Sequence, residues 1–494
     1  MAEDRDLLPG ETELLRVHRH PVVIVRRTAV PILVIVVVLA VGTVLPLRAT
    51  VATLRWFVEL VILIAALVYL DIQYIIWRSE SLRGLRPRPR PGRFPQRAHR
   101  AAPWRPRRRP PGLVILRYLT AGESHGPRLV IIVDGMPAGL RIKAADIDAD
   151  LRRRQGGYGR GGRQQIERDR VEVVGGVRLG RTLGTPVAMI VTNLDFPNWE
   201  KTMSPQPTGF TPNRVTRVRP GHADLAGALK YGFDDVRNVL ERASARETTS
   251  RVAAGGLAKQ LLRDFGIEVR SFVSRVGNVQ AAIPEQIDWE SVEASPVRTP
   301  DPVAGKKMVR AIDRAQQQGD TLGGVFTVVA TGVPIGLGTY AQWDQRLDGR
   351  LAQAVMSVPA VKAVELGDGI RAAALPGSQV HDQPRYSQDR GFFHLSNRQG
   401  GLTGGVTDGM PVVVSGYLKP ISTLRRPLAT VDLATRQEIQ AHYERSDICV
   451  VPAAGVIGEA VVAITLAQAL QEKTGGDSLR EMKRNLAGYL RTLR

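Results

Sequence analysis

Two histidines in glycine-lined turns are the groups best suited to chemistry in this sequence: His125 within GESHG and His222 within RPGHAD. Imidazole changes charge near neutral pH under modest environmental shifts, which suits general acid–base work. Three later segments are ready for an anion: RASARET (Arg242 to Thr248), KPIST (Lys419 to Thr423) and RSD (Arg445 to Asp447). A guanidinium grips phosphate or carboxylate through parallel hydrogen bonds, and a lysine adds a point charge. With Asp447 as a late carboxylate, the set points to proton management around an anionic substrate. Singly, each segment has a plainer use. A histidine beside glycine commonly serves a turn, and Arg242 and Arg246, four apart, would share a solvated helix face. KPIST suits an extended link and RSD a helix N-cap. No single packing requirement asks for all five.

Short strands alternating with helices would carry these groups from Leu113 onward. Leu129 to Val133 (LVIIV) reads as a buried strand before the turn Asp134-Gly135. Asp235 to Phe265 reads as one long helix, with apolar residues at Val236, Val239, Leu240 and Ala243. Pro411 to Leu418 reads as a strand delivering KPIST, and Val456 to Lys473 as a helix stopped by Gly475 and Gly476. GGLTGG leads on to a strand, so no glycine-rich turn opens a helix as a dinucleotide fingerprint requires. A Rossmann cofactor domain is disfavoured.

Further motifs occur in order: RYLTAGESHG from Arg117, DGMPAGL, RRRQGGYGRGGRQQIE, VMSVPAVKAVELGDG, GGLTGG and HYERSDICVVPAAGVIGEA. On these, residues 113–494 resemble the chorismate synthases; GESHG and RASARET are the most specific of the set. The resemblance implies an α+β fold, a β-α-β sandwich with a helical layer between antiparallel sheets, usually assembled as a homotetramer. It implies a carbon–oxygen lyase acting on a phosphate. The reaction is anti-1,4-elimination from 5-enolpyruvylshikimate 3-phosphate to chorismate, the last common step of the shikimate pathway to aromatic amino acids. Reduced FMN is required although there is no net redox change, because it can lend electron density to the leaving step and accept the ring proton. NADPH is the reductant the resemblance allows.

The site residues follow from the same match. His125 would stand near the departing phosphate and His222 at the flavin, with the two roles exchangeable; Asp447 would relay the proton near flavin N5. Arg154 and Arg160 match positions for NADP or substrate contact, and their spacing across GGYG requires a loop. Arg242, Ala243 and Ser244 match flavin contacts. So do Pro359, Ala360, Gly404, Lys419, Pro420, Ile421, Ser422, Thr423 and Arg445. One departure stands out: Asp408 follows GGLTGG where the family commonly has asparagine. Its charge would weaken flavin phosphate binding unless it points away. No metal is implied.

The formal net charge is +21, and about half of it lies between Arg78 and Arg109, where twelve arginines accompany one glutamate. Trp104 and Phe94 do not make an aromatic platform, so nucleic-acid binding is not indicated. Cys449 is the only cysteine, which excludes an internal disulfide and a thiolate metal cluster and fits a cytoplasmic catalytic part. Its expected role is a small buried residue.

Residues 1–77 stand outside the family. Ala29 to Leu47 runs nineteen residues without a charge, long enough for a membrane span, and Trp56 to Trp77 forms a weaker second one. With arginines flanking both, a hairpin in residues 29–77 would leave both ends in the cytoplasm and anchor the protein to the inner membrane. LLPGETELLRVHRHPVVIV also weakly resembles the start of bacterial membrane proteins with a pleckstrin-homology-like domain. Residues 78–112 read as a disordered Pro/Arg linker. Two origins stay open for this N-terminal part: a true anchor, or a fusion or mis-set reading frame joined to a complete enzyme. The competing functional reading is a membrane-anchored scaffold or lipid-binding protein with an inactive enzyme-like half.

Overall fold

The structure is a computed structural model that describes residues 115–161, 168–389, 391–441 and 447–493. The expected spans at 29–77, the Pro/Arg linker and Arg445 lie outside the described residues.

Two antiparallel sheets face a layer of helices. The first contains β1 (Arg117–Ala121), β2 (Arg128–Asp134), β3 (Val171–Gly175) and β4 (Val187–Thr192), in the order β1-β2-β4-β3. Period-2 alternation sets its faces. Leu129, Ile131 and Val133 of β2 point inward, opposite Val191, Met189 and Val187 of β4. The second sheet contains β5 (Glu268–Val276), β6 (Val279–Gln280), β7 (Gly324–Thr331), β8 (Val361–Leu366) and β9 (Val412–Leu418), in the order β8-β9-β7-β5-β6. The strands expected at LVIIV and before KPIST are β2 and β9.

Between the sheets lie α1 (Ala144–Gln155), α4 (Glu247–Arg263) and α6 (Val451–Thr474); α4 packs on β2, and α6 on β5 and β7. The shorter helices between α1 and α4 include α2 (Asp224–Tyr231) and α3 (Arg237–Leu240). α5 (Leu347–Met356) leads into β8, and α7 (Leu479–Arg491) closes the chain. The sandwich implied by the family resemblance is the fold observed.

α6 is apolar on every side because helices and a sheet surround it. It is long and apolar enough to cross a membrane, yet 94% of its most apolar window is buried inside the protein, so it is a core helix. Glycines set its distance from its neighbours. A Cβ on Gly255 of α4 would meet the Ala460 Cβ at 2.3 Å, and one on Gly458 would meet the Phe326 ring at 2.4 Å. α6 begins five residues before the expected Val456. Pro452 lies in its first turn, where the missing N–H is not needed.

The single helix expected over Asp235 to Phe265 is instead α3 and α4, interrupted at Glu241–Arg246. Tertiary bonds take over there. The Glu241 carbonyl accepts from the Ser124 N–H at 3.0 Å, and Arg242 donates to the Thr120 and Gly122 carbonyls. Periodicity saw the apolar stripe but not these contacts.

A buried charge network crosses the helical layer. Glu459 of α6 is fully buried and accepts from Arg153 of α1 at 2.7 Å, Ser271 of β5 at 2.7 Å, Lys259 of α4, and Arg298 at 3.3 Å. Burial opposes its ionisation, but Lys259, Arg153 and Arg298 outweigh that and hold the carboxyl well below the usual range. Asp150 and Glu293 complete the pairing of the three cations.

Candidate active site

A cavity of about 440 Å³ opens where the interrupted helix meets the ends of β8 and β9. The GESHG turn after β1 brings Ser124 and His125 to it, and the RPGHAD turn before α2 brings His222. The interruption supplies Ala243 and Ser244, the bend before β8 supplies Pro359 and Ala360, and the chain after β9 supplies Lys419, Ile421, Ser422 and Thr423. Arg154 arrives on the last turn of α1, Arg160 on the loop after it, and Asp447 precedes α6. Residues expected from segments over three hundred positions apart thus share one cavity.

Each histidine is held by a carboxylate. His125 Nδ1 lies 2.9 Å from Glu241, whose carboxylate also accepts the His125 backbone N–H at 2.8 Å. His222 Nδ1 lies 2.5 Å from Asp224 and 3.1 Å from Arg219, which itself pairs with Asp224 at 2.8 Å. Burial pushes both carboxyls toward protonation, but hydrogen bonds and charge from the partner histidines and arginines prevail and hold them below the ordinary range. Trp199 lies against the His125 ring at a centroid distance of 3.9 Å.

The cations are placed around the anion-ready side. Arg154 donates to Thr248 at 3.0 Å and to the Ala245 carbonyl at 2.9 Å. Arg246 pairs with buried Asp169 at 3.0 Å. Arg160 pairs with Asp447 at 3.0 Å, and Asp447 also accepts the Gly161 N–H at 2.6 Å. Lys419 makes no ion pair among the described residues; burial, and then the charge of Lys362, lower its pKa. Ala360 adopts φ +71°, a left-handed conformation that costs an alanine about 1 kcal/mol and clusters at functional sites. Its carbonyl accepts the Lys419 N–H at 3.0 Å, tying the two pocket segments together.

Among the described residues, three expected site residues are not in the cavity wall. Arg242 turns away to Thr120 and Gly122, and Pro420 sits between two lining residues without lining itself. Gly404 forms the tip of a short hairpin (Leu402–Thr403 with Val406–Thr407) whose Gly405 carbonyl accepts the Leu347 N–H. That places it at the start of α5, whereas the cavity lining at Val358 to Ala360 follows the other end of that ten-residue helix. Arg445 lies outside the described residues. Asp408 is turned from the cavity: its carboxylate accepts from the Met410 N–H and the Thr403 hydroxyl. Cys449 is fully buried, and burial pushes its thiol up to about 11, as befits a packing residue.

The residues the sequence reading missed are the partners. Asp224 was within reach of a reading of GHAD, two positions after His222. Glu241, Asp169 and Trp199 carry no local signal, because their contacts join distant segments.

A chorismate synthase family model matches residues 116–471. The chain is 58% identical over 385 residues to the chorismate synthase of Desulforudis audaxviator (strain MP104C), covering 77% of this chain and 98% of that protein. The chain belongs to the chorismate synthase family. The chorismate synthase of Symbiobacterium thermophilum is 56% identical over 385 residues, 76% of this chain and 98% of that one. A crystal structure of a chorismate synthase matches with a TM-score of 0.62 at 40% identity, covering 77% of this chain and 99% of that chain. The chorismate synthase match therefore falls on the sandwich and its cavity, with residues 1–112 outside it.

Proposed function

We propose that this protein catalyses the chorismate synthase reaction, elimination of phosphate from 5-enolpyruvylshikimate 3-phosphate with reduced FMN as cofactor. One observation carries the reading: His125, His222 and Asp447 line one cavity together with Arg154, Arg160 and Lys419. The residues fit a phosphorylated planar cofactor. The cavity volume is that of a small-molecule site, with an apolar wall from Leu418, Ile421, Val450 and Ala453 and a polar side of cations and hydroxyls. Lys419, Ser422, Thr423 and Ser244 would hold the cofactor's phosphate and polar groups, and Ala243, Pro359 and Ala360 would pack on its ring. When bound, reduced FMN supplies electron density to the departing phosphate.

The chain's own groups do the rest. The cationic lining offsets the substrate's charges and orients it. With Nδ1–H held by Glu241, His125 as an imidazolium gives its Nε2 proton to the leaving phosphate and returns to the neutral Nδ1–H form. His222, backed by Asp224, serves the cofactor side, and Asp447 moves the ring proton outward. NADPH as reductant is a separate part of the proposal. Anaerobic bleaching of FMN by NADPH with purified protein would support it. No bleaching, with full turnover on chemically reduced flavin, would remove it. The homotetramer is likewise proposed, with sedimentation equilibrium as its test.

Anaerobic chorismate formation by the full chain with chemically reduced FMN tests the main reading. Protein that is folded and binds FMN but shows no turnover would overturn it. His125→Ala and His222→Ala are each expected to lower kcat about 100-fold or more with the far-UV spectrum unchanged.

A further inference from the structure

Glu241 stands at the start of the helix interruption with only 3% of its surface exposed, and it holds the GESHG turn at three points. Its carbonyl accepts the Ser124 N–H at 3.0 Å. Its Oε2 accepts the His125 backbone N–H at 2.8 Å, and both carboxylate oxygens lie within 3.0 Å of His125 Nδ1. Arg237, one helical turn earlier, donates to Oε1 at 3.1 Å. Every group that meets this carboxylate is a donor. An ionised carboxylate only accepts, so the proton on the facing imidazole nitrogen must sit on Nδ1. Trp199 covers one face of the ring, and the Arg237 guanidinium lies 5.3 Å from the Trp199 ring, which fixes the ring's orientation as well as its tautomer. The second histidine differs. His222 Nδ1 meets both Asp224 and the Arg219 guanidinium, so a carboxylate alone does not set its tautomer.

We propose that Glu241 is a positioning residue for catalysis: its carboxylate locks His125 as the Nδ1–H tautomer and so reserves Nε2 for proton exchange in the cavity. This rests on the chorismate synthase reading for the reaction itself, though not for the tautomer. The logic is that of a carboxylate orienting a catalytic imidazole, where the carboxylate sets the tautomer without taking the proton.

Glu241→Gln tests it with almost no change in volume. A carboxamide leaves one of the surrounding donors unpaired and puts an NH₂ donor as well as a carbonyl acceptor within reach of Nδ1, so the ring is no longer held to a single tautomer. The expected result is a kcat about 100-fold lower, with KM for the phosphorylated substrate and FMN affinity within about threefold of the parent. Adding Glu241→Gln to His125→Ala should cost nothing further, because Glu241 acts through His125. Losses that multiply in the double variant, or a raised KM with kcat kept, would make Glu241 a mere clamp on the turn and overturn the proposal. Glu241→Asp, which keeps the charge on a shorter arm, should recover part of the lost kcat; no recovery counts against it. Nitrogen-15 NMR of selectively labelled histidines, assigned with His125→Ala, reads the tautomer without turnover. Nδ1–H in the parent and a mixture in Glu241→Gln is expected, and an unchanged tautomer sinks the idea. Because this readout needs no reaction, its failure is distinguishable from failure of the chorismate synthase reading.

Discussion

Replacing Glu459 by alanine should destabilise the sandwich strongly while touching nothing in the cavity wall. The carboxylate is fully buried and meets Lys259, Arg153 and Arg298, two of which are themselves about 95% buried. Removing one member of a buried ion network strands the others and costs about 3–5 kcal/mol. Asp150 remains 3.0 Å from Lys259 and Glu293 remains 2.7 Å from Arg153, so compensation is partial and about 3 kcal/mol is expected. At about 2 °C per kcal/mol for a domain of this size, the melting midpoint should fall by roughly 6 °C. The pH dependence fixes the mechanism. The folded pKa of Glu459 is depressed, so its contribution is complete above the unfolded carboxyl value of about 4.3 and is lost as pH falls through the folded one. The parent should therefore lose stability on acidification more steeply than Glu459→Ala. Far-UV melts of both proteins from about pH 5 down to about 2, the window in which this contribution is lost, make the measurement. A variant that melts within about 1 °C of the parent, or with the same acid slope, would refute the network as a stabilising element.

Lys419 should govern anion binding at high pH. Its pKa is lowered by burial and then by Lys362, so inorganic phosphate affinity should fall as pH rises toward 10, and Lys362→Gln should move that fall upward. Phosphate titration by fluorescence across pH reads this, and no movement in Lys362→Gln contradicts it. Asp408→Asn should leave FMN affinity unchanged, since the carboxylate faces Thr403 and Met410 instead of the cavity; equilibrium dialysis showing tighter binding would reverse that. Full-length protein should pellet with membranes if Ala29 to Leu47 is an anchor, and recovery in the soluble fraction removes that expectation.

The sandwich and most of the cavity wall were legible where a residue's job is local. Alternation in LVIIV set β2, and the motif order carried His125, His222, KPIST and Asp447 to one place. What stayed hidden depends on distant partners. Glu459 sits in an apolar helix as an apparent anomaly until Lys259 and Arg153 arrive from two other helices. The break at Glu241 was unreadable because α3 and α4 have helical periodicity on both sides, and the bonds that outcompete it come from residues more than a hundred positions earlier. Gly404 was assigned by motif alone, which says nothing of how far a hairpin tip lies from the pocket.

The interruption between α3 and α4 also acts as a fixed length. One end is fastened to the GESHG turn through Glu241, and the other to Asp169 through Arg246. One residue more or fewer in this stretch would rotate α4 by about 100° against α3. That would turn Gly255 from Ala460 and Lys259 from Glu459 at the same stroke. Letters between Glu241 and Arg246 can change with local effects. Their number cannot, so insertions and deletions here should be read as loss of the whole sandwich, not of the pocket alone.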